Sequence, residues 1–175
     1  METKTSDARI HIADYDPTWP VLFEAERTLL SKALAPWLAG PIEHIGSTAV
    51  PGLAAKPIID IMAAVKSFED SRAAIEALRE LEYQYAPYRA DVMHWFCKPG
   101  PAFRTHHLHL VPYGSELWIK RVAFRDSLRA SPALAAEYAE LKIRLANLHH
   151  LDREAYTEAK EPFINRVLGR SAGAV

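Results

Sequence analysis

The chain has 175 residues, of which 49% are hydrophobic and 25% charged, which is the composition of a globular protein of single-domain size. We therefore expect one domain over residues 1–175, with a core large enough to need no disulfide or structural metal. The formal net charge of −1 argues against a general nucleic-acid binder, which would present a strongly basic face. A lone cysteine, Cys97, and the lack of an apolar run of membrane-spanning length predict a cytoplasmic protein that does not enter a membrane.

The first 65 residues combine one helical pattern with apolar stretches of strand character. Asp16-Pro17 is typical of a helix start, because a capping carboxylate precedes a proline in the first turn. Gly46-Ser47 ends one of the apolar stretches and is typical of a turn. The predicted elements are, in order, a loose end at residues 1–9, a short edge strand at 10–13, a helix from Asp16 to about Pro36, and strands over 42–45 and 58–65.

The character of the chain changes from strands to helices after residue 114. Ser67, three residues before Asp70, resembles a helix capping box, and Gly169 is placed as a C-cap. The predicted elements are a helix over 67–81, strands over 83–85, 92–97 and 105–111, and helices over 116–128, 131–149 and 152–168. The class is therefore α+β or mixed α/β, with an α/β core at residues 1–114 and C-terminal helices at 115–170.

Asp60 is a carboxylate inside the apolar run of the strand over residues 58–65. Burying an ionised carboxylate without a partner costs several kcal/mol or more, so we expect Asp60 to face a cation, a metal or a crevice. An ion pair with an arginine such as Arg104 is the structural alternative.

Two histidines have the spacing needed to meet Asp60. Side chains alternate across a strand, so His107 and His109 share one face, while Leu108 lies on the other. If the apolar faces of both strands share a core, Asp60, His107 and His109 project together from the opposite face. Two imidazoles and a carboxylate suit a divalent metal, so we predict these residues as catalytic metal ligands, with the Asp60 carboxylate roughly 3–5 Å from a ring nitrogen.

The turn at Gly46-Ser47 is a candidate phosphate site, because backbone N–H groups and a hydroxyl can face a ligand there. Lys56 and Lys160 could add positive charge, although solvated lysines are the alternative. Other basic residues of the predicted late helices are expected on solvated faces with i,i+4 pairs. They are Arg121, Arg125, Arg129, Lys142 and Arg144.

The motifs of this chain resemble two nested families. Gly46-Ser47 followed by Asp60 in an apolar strand resembles the nucleotidyltransferase superfamily, and the chain from about Ile12 to Leu168 is similar to the uncharacterised GrpB (UPF0157) family, in which some members are fused to dephospho-CoA kinase. The GrpB resemblance is carried by Tyr15-Asp16-Pro17, Trp19-Pro20, Glu43-His44-Ile45-Gly46-Ser47-Thr48, Val50-Pro51-Gly52-Leu53, Lys56-Pro57-Ile58-Ile59-Asp60-Ile61, Thr105-His106-His107-Leu108-His109, Phe124-Arg125-Asp126, Leu128-Arg129, Asp152-Arg153, Tyr156-Thr157 and Lys160.

This resemblance implies a nucleotidyltransferase-like mixed sheet with packed helices, followed by a helical part. Enzymes of the superfamily hold two Mg²⁺ ions on three carboxylates and transfer a nucleoside monophosphate. Here Met62 takes the position of the second carboxylate, and the strand that should bring a third brings His107 and His109. Imidazole ligands suit Mn²⁺ or Zn²⁺ better than Mg²⁺.

Three functions therefore remain open from the sequence. The first is a nucleotidyltransferase-like enzyme that uses Mn²⁺, Zn²⁺ or Mg²⁺ to act on a nucleotide or a phosphorylated small molecule. The second is a non-catalytic nucleotide or coenzyme binder with a degenerate site. The third is a metal-dependent hydrolase or oxygenase, because two histidines and one carboxylate also serve those reactions.

Overall fold

The computed structural model describes residues 9–172, so all but the last residue of the predicted loose end at 1–9 lies outside the described part. The strands are β1 (Leu38–Ile45), β2 (Ile59–Val65), β3 (Gln84–Tyr85), β4 (His94–Gly100) and β5 (Phe103–Pro112). The helices are α1 (Trp19–Ala33), α2 (Ala74–Ala77), α3 (Glu116–Ala130), α4 (Pro132–Leu148), α5 (Arg153–Glu158) and α6 (Glu161–Ala172). Short 3₁₀ segments cover Ser47–Ala49, Asp70–Ala73 and Leu78–Leu81.

The five strands form one mixed sheet in the order β1-β2-β5-β4-β3. Strand β2 pairs with β5 in parallel, and the other neighbouring strands pair antiparallel. In the parallel pair Asp60 lies opposite His107, and Ile45 of β1 lies opposite Asp60 on its other side. The mixed α/β class with helices at the C-terminal end is confirmed, and residues 10–13 contribute a single bridge from Ala13 to Ala55.

The main core lies between one face of the sheet and helix α1. Ile59 and Ile61 of β2 share it with Leu108 and Leu110 of β5, as side-chain alternation predicts. Each such buried side chain contributes about 1.5–3 kcal/mol relative to an exposed one. This packing fixes which face of β2 and β5 turns away from the core, and therefore where Asp60 points.

The C-terminal helices pack on the opposite face of the sheet and on the loop after β1. Trp118 of α3 joins Met62 and Val111 in one apolar cluster. A second cluster joins the loop residue Leu53 to Tyr138 of α4, together with side chains of α3 and α6. Apolar side chains therefore meet across the predicted boundary after residue 114.

The last predicted helix, over residues 152–168, is wrong in two respects. It is divided into α5 and α6, and α6 continues through Gly169 instead of ending there. Proline lacks an N–H and is tolerated in the first helical turn, so Pro162 starts a new helix rather than continuing the old one. The division places Lys160 at the junction. No helix among residues 9–172 is long and apolar enough to cross a bilayer.

His44 of β1 should make the fold sensitive to acid. Its ring stacks on Phe23 of α1 at 4.7 Å, and its Nε2 lies 2.9 Å from the Thr48 hydroxyl. Burial, aided by nearby arginines and opposed by Asp60, lowers the pKa of His44 to about 4. The unfolded chain therefore binds an extra proton between pH 6.5 and 4, and stability falls as the pH is lowered through that range.

We expect the His44 contribution to lower the free energy of unfolding by a few kcal/mol at pH 4, because one pKa unit corresponds to about 1.4 kcal/mol. Urea unfolding at pH 7 and pH 4.5 measures it. His44→Gln should lose less stability than the wild type on acidification, whereas the exposed control His150→Gln should follow the wild type. An equal acid response in all three proteins would contradict the assignment.

Candidate functional site

Asp60 and His107 form the centre of the candidate site. The Nδ1 atom of His107 donates a hydrogen bond to Oδ1 of Asp60 at 3.0 Å, and Nε2 of His109 lies 3.8 Å from the same oxygen. The ring of Trp95 packs 5.0 Å from the His107 ring and limits its movement. The structure thus brings together the three side chains that strand alternation places on one face, at the separation expected from the sequence.

The electrostatics of this centre keep Asp60 ionised. Burial works to raise the pKa of Asp60, but the hydrogen bond from His107 and the proximity of His109 outweigh it and hold the pKa well below its usual range. Burial and the nearby Arg121 lower the pKa of His109 to about 3, so this imidazole is neutral at pH 7. Because Nδ1 of His107 donates to Asp60, its Nε2 can accept a proton, and that buried atom has no partner among residues 9–172.

Gly46 brings the backbone against the Asp60 carboxylate. Its φ of 71° and ψ of −174° lie in a region that is essentially restricted to glycine. A Cβ atom at this position would lie 2.6 Å from Oδ2 of Asp60. The 3₁₀ turn that follows begins at Ser47, whose side chain hydrogen-bonds with Tyr138 of α4.

Three lysines from separate parts of the chain lie near one another, and the charge of Asp60 acts on two of them, Lys56 and Lys160. The Nζ atoms of Lys56 and Lys160 lie 4.5 and 4.4 Å from the centre of the Tyr156 ring. Lys142 of α4 is 2% exposed, and its Nζ donates to the carbonyl oxygen of Ala54. Lys56 and Lys160 are half-buried beside Tyr156 rather than fully solvated.

The lysines lack carboxylate partners. Among residues 9–172 no Asp or Glu lies within ion-pair distance of Lys56, Lys142 or Lys160. Burial and then the charge of Lys160 lower the pKa of Lys56 and of Lys142 to about 7. Burial lowers the pKa of Lys160 itself to about 8, although Asp60 and Glu161 oppose the shift. Buried like charges of this kind are stabilised by an anion.

The predicted metal ligands Asp60, His107 and His109 lie close together, but Asp60 and His107 also engage each other directly. Asp60 and His107 are hydrogen-bonded to each other, and Met62, which occupies the expected place of a second carboxylate, is fully buried in an apolar cluster. Within the described part of the chain no three His, Cys, Asp or Glu side chains form a group that could hold a metal ion. As arranged, Asp60 and His107 form a carboxylate–imidazole pair near Lys56 and Lys160.

Arg121 and Lys142 are site residues that the sequence predicts on solvated faces, and this prediction is wrong. Lys142 lies four residues from both Tyr138 and Ala146, and all three are buried in α4. Arg121 lies three residues after the buried Trp118 and four before the buried Arg125. Their position on the apolar stripe of each helix is the sequence feature that could have predicted their burial.

Comparisons with known proteins agree on one family. A family model described as GrpB protein matches residues 9–170. The chain is 41% identical to a UPF0157 protein of Pseudomonas aeruginosa, over 98% of this chain and 72% of that protein. It is 26% identical to a dephospho-CoA kinase of Mycolicibacterium paratuberculosis, over 94% of this chain and 46% of that protein. The crystal structure of conserved protein GrpB from Enterococcus faecalis matches with a TM-score of 0.81 and 34% identity, over 91% of this chain and 96% of that one. The chain therefore belongs to the GrpB family.

Proposed function

We propose that this protein binds a nucleotide or a phosphorylated small molecule in the pocket between the Gly46-Ser47 turn and the three lysines Lys56, Lys142 and Lys160. One observation carries the proposal: the half-buried Lys56 and Lys160 and the buried Lys142 lie close enough to affect one another's charge, and no carboxylate among the described residues lies within ion-pair distance of them. Phosphate oxygens would supply the missing negative charge and would accept hydrogen bonds from the ammonium groups.

The pair formed by Asp60 and His107 supports a transfer reaction at the bound phosphate. A carboxylate that accepts from Nδ1 holds the imidazole in one tautomer, with Nε2 ready to take a proton. Next to a bound nucleoside triphosphate, His107 would take the proton of an acceptor hydroxyl as that oxygen bonds to phosphorus. The bond from that phosphorus to its bridging oxygen would break, releasing pyrophosphate in nucleotidyl transfer or the nucleoside diphosphate in phosphoryl transfer. Nucleotidyl or phosphoryl transfer is therefore the reaction class that we propose, in agreement with the nucleotidyltransferase-like motif at Gly46-Ser47 and Asp60.

The similarity to a dephospho-CoA kinase favours a coenzyme-type nucleotide as the ligand. We place this function in the cytoplasm, where nucleotides are abundant and a thiol such as Cys97 stays reduced. A non-catalytic coenzyme-binding module is the alternative, because it would use the same lysines and would not need the Asp60–His107 pair.

Substitution of the pocket lysines tests the proposal. We expect ATP, dephospho-CoA or pyrophosphate to raise the melting temperature, whereas adenosine should have little effect. Lys56→Met and Lys160→Met should each weaken binding about tenfold or more, which corresponds to about 1.4 kcal/mol, because each removes a charge from a partly dehydrated site. Isothermal titration calorimetry measures the loss, and the exposed Lys32→Met is the control.

The protein should also take up protons when it binds a phosphate compound at pH 8. The bound anion raises lysine pKa values that lie near 7 to 8 in the free protein, so affinity should fall as the pH rises above 8. Titration in two buffers with different ionisation enthalpies detects this uptake. If no phosphate compound changes the melting temperature of the wild type, the proposal is wrong.

A metal-dependent reaction is the second candidate function. It is favoured by the approach of His107 and His109 to one oxygen of Asp60, at 3.0 and 3.8 Å. The same melting experiment with Mn²⁺, Zn²⁺ or Mg²⁺ tests it, and stabilisation by nucleotide that needs the metal would favour it. In a non-catalytic module, nucleotide should stabilise the protein without metal, and Asp60→Ala should leave binding nearly intact.

A further inference from the structure

Arg121 of α3 is half-buried and forms no ion pair with an Asp or Glu side chain in the described part of the chain. Its Nη1 atom is buried and has no hydrogen-bond partner in the described part of the chain. Its Nη2 atom donates a weak hydrogen bond to the sulfur of Met93 at 3.7 Å. By contrast, Arg125 on the next turn pairs with Glu43 and Asp126. An uncompensated buried guanidinium is costly, so Arg121 is not explained by the packing around it.

The groups around Arg121 place its guanidinium next to the candidate site. The sulfur of Met93 also lies 3.5 Å from Nδ1 of His109. Arg121 and His109 therefore both contact this sulfur atom. Four other groups act on the guanidinium: Asp60 and Glu161 with negative charge, Arg89 with positive charge, and the Tyr88 hydroxyl. Burial lowers the pKa of Arg121 to about 10, so the side chain remains charged at neutral pH.

Arg121 and the lysines have different neighbours. Lys56 and Lys160 share the Tyr156 ring, and Lys142 lies near enough to both to be affected by their charge. Arg121 instead contacts Met93 and, through its sulfur, lies beside His109. Asp60 acts electrostatically on both Lys160 and Arg121, so it lies near both sets of positive charge.

We propose that Arg121 binds a second anionic group of the ligand whose first phosphate is held by Lys56, Lys142 and Lys160. This inference rests on the proposed function. The ligand class is narrowed to compounds with two or more linked phosphates, such as a nucleoside diphosphate, a nucleoside triphosphate or pyrophosphate. The Nη1 atom donates to an oxygen of the second phosphate, as guanidinium groups do when they hold phosphates.

The Arg121→Met variant separates this role from a structural one. Removal of an unpaired buried charge should raise the melting temperature of the ligand-free protein by a few degrees. A guanidinium that stabilises the fold should behave like Arg125, and the matched Arg125→Met variant should melt well below the wild type. A fall in the melting temperature of Arg121→Met of the same size as that of Arg125→Met would overturn the proposal.

Binding of pyrophosphate and of inorganic phosphate, measured by calorimetry, gives the second readout. We expect Arg121→Met to bind pyrophosphate at least tenfold more weakly than the wild type and to bind inorganic phosphate within threefold of it. Arg121→Gln provides the same comparison if the methionine variant does not fold. Unchanged pyrophosphate affinity in the variant overturns the inference about Arg121 alone, and so does an equal loss for both ligands. Failure of the wild type to bind either ligand overturns the proposed function itself.

Discussion

Gly46→Ala should abolish ligand binding and lower the stability of the fold together. The glycine-only backbone conformation costs about 1–3 kcal/mol when another residue adopts it. The new Cβ would also lie 2.6 Å from Oδ2 of Asp60, so the carboxylate must move away from His107. Loss of a hydrogen bond to a charged group adds about 1.5–3 kcal/mol. Urea unfolding and calorimetry with pyrophosphate measure the two effects.

Gly52→Ala is the matched control for this substitution. Gly52 also has a positive φ, at +78°, but nothing lies within 4 Å of a Cβ built on it. Gly52→Ala should therefore lose stability from backbone strain alone and keep ligand binding. If Gly46→Ala binds pyrophosphate as the wild type does, the turn is not part of the ligand site.

Arg125→Met should cause the largest loss of stability among the single substitutions considered for α3. The Arg125 guanidinium is 7% exposed, pairs with Glu43 and Asp126, and donates to the carbonyl oxygen of His44 at 3.0 Å. Breaking a fully buried pair costs about 3–5 kcal/mol, and partial exposure of both carboxylates reduces this to roughly 2–3 kcal/mol. The melting temperature should fall by roughly 5–10 °C.

A double substitution identifies the source of this loss. Glu43→Gln with Arg125→Met should be less destabilising than the sum of the two single changes, because neither partner is then left with an unpaired charge. Strict additivity would show that Arg125 acts through Asp126 and the carbonyl oxygen of His44 instead of through Glu43. Calorimetric unfolding of the four proteins supplies the comparison.

The centre of the site could be predicted from sequence because strand geometry is local. A strand repeats every two residues, so the apolar faces of β2 and β5 determine where Asp60, His107 and His109 point. The glycine at position 46 was equally readable as a turn. The alternation of side chains along a strand does not show which charged residues lie around the site, because those residues belong to other elements.

The remaining site residues depend on how helices dock, which no local pattern specifies. Lys142 and Arg121 belong to helices whose polar residues are ordinarily solvated, and only their place on a buried stripe distinguishes them. The junction between α5 and α6 is another feature that the local sequence pattern did not predict. A continuous apolar pattern favours one helix, but Pro162 divides it and leaves Lys160 beside Tyr156.

The parallel pairing of β2 with β5 also determines when the site forms during synthesis. Asp60 and His107 are separated by 47 positions, and strands in parallel need a long crossover before they can meet. A ribosome releases the chain from its N-terminal end, so Asp60 emerges long before its imidazole partner, and Lys142 and Lys160 follow later still. Until then Asp60 is an unpaired carboxylate on an unfinished sheet. The candidate site can therefore form only after α4 and the residues up to Lys160 have been synthesised.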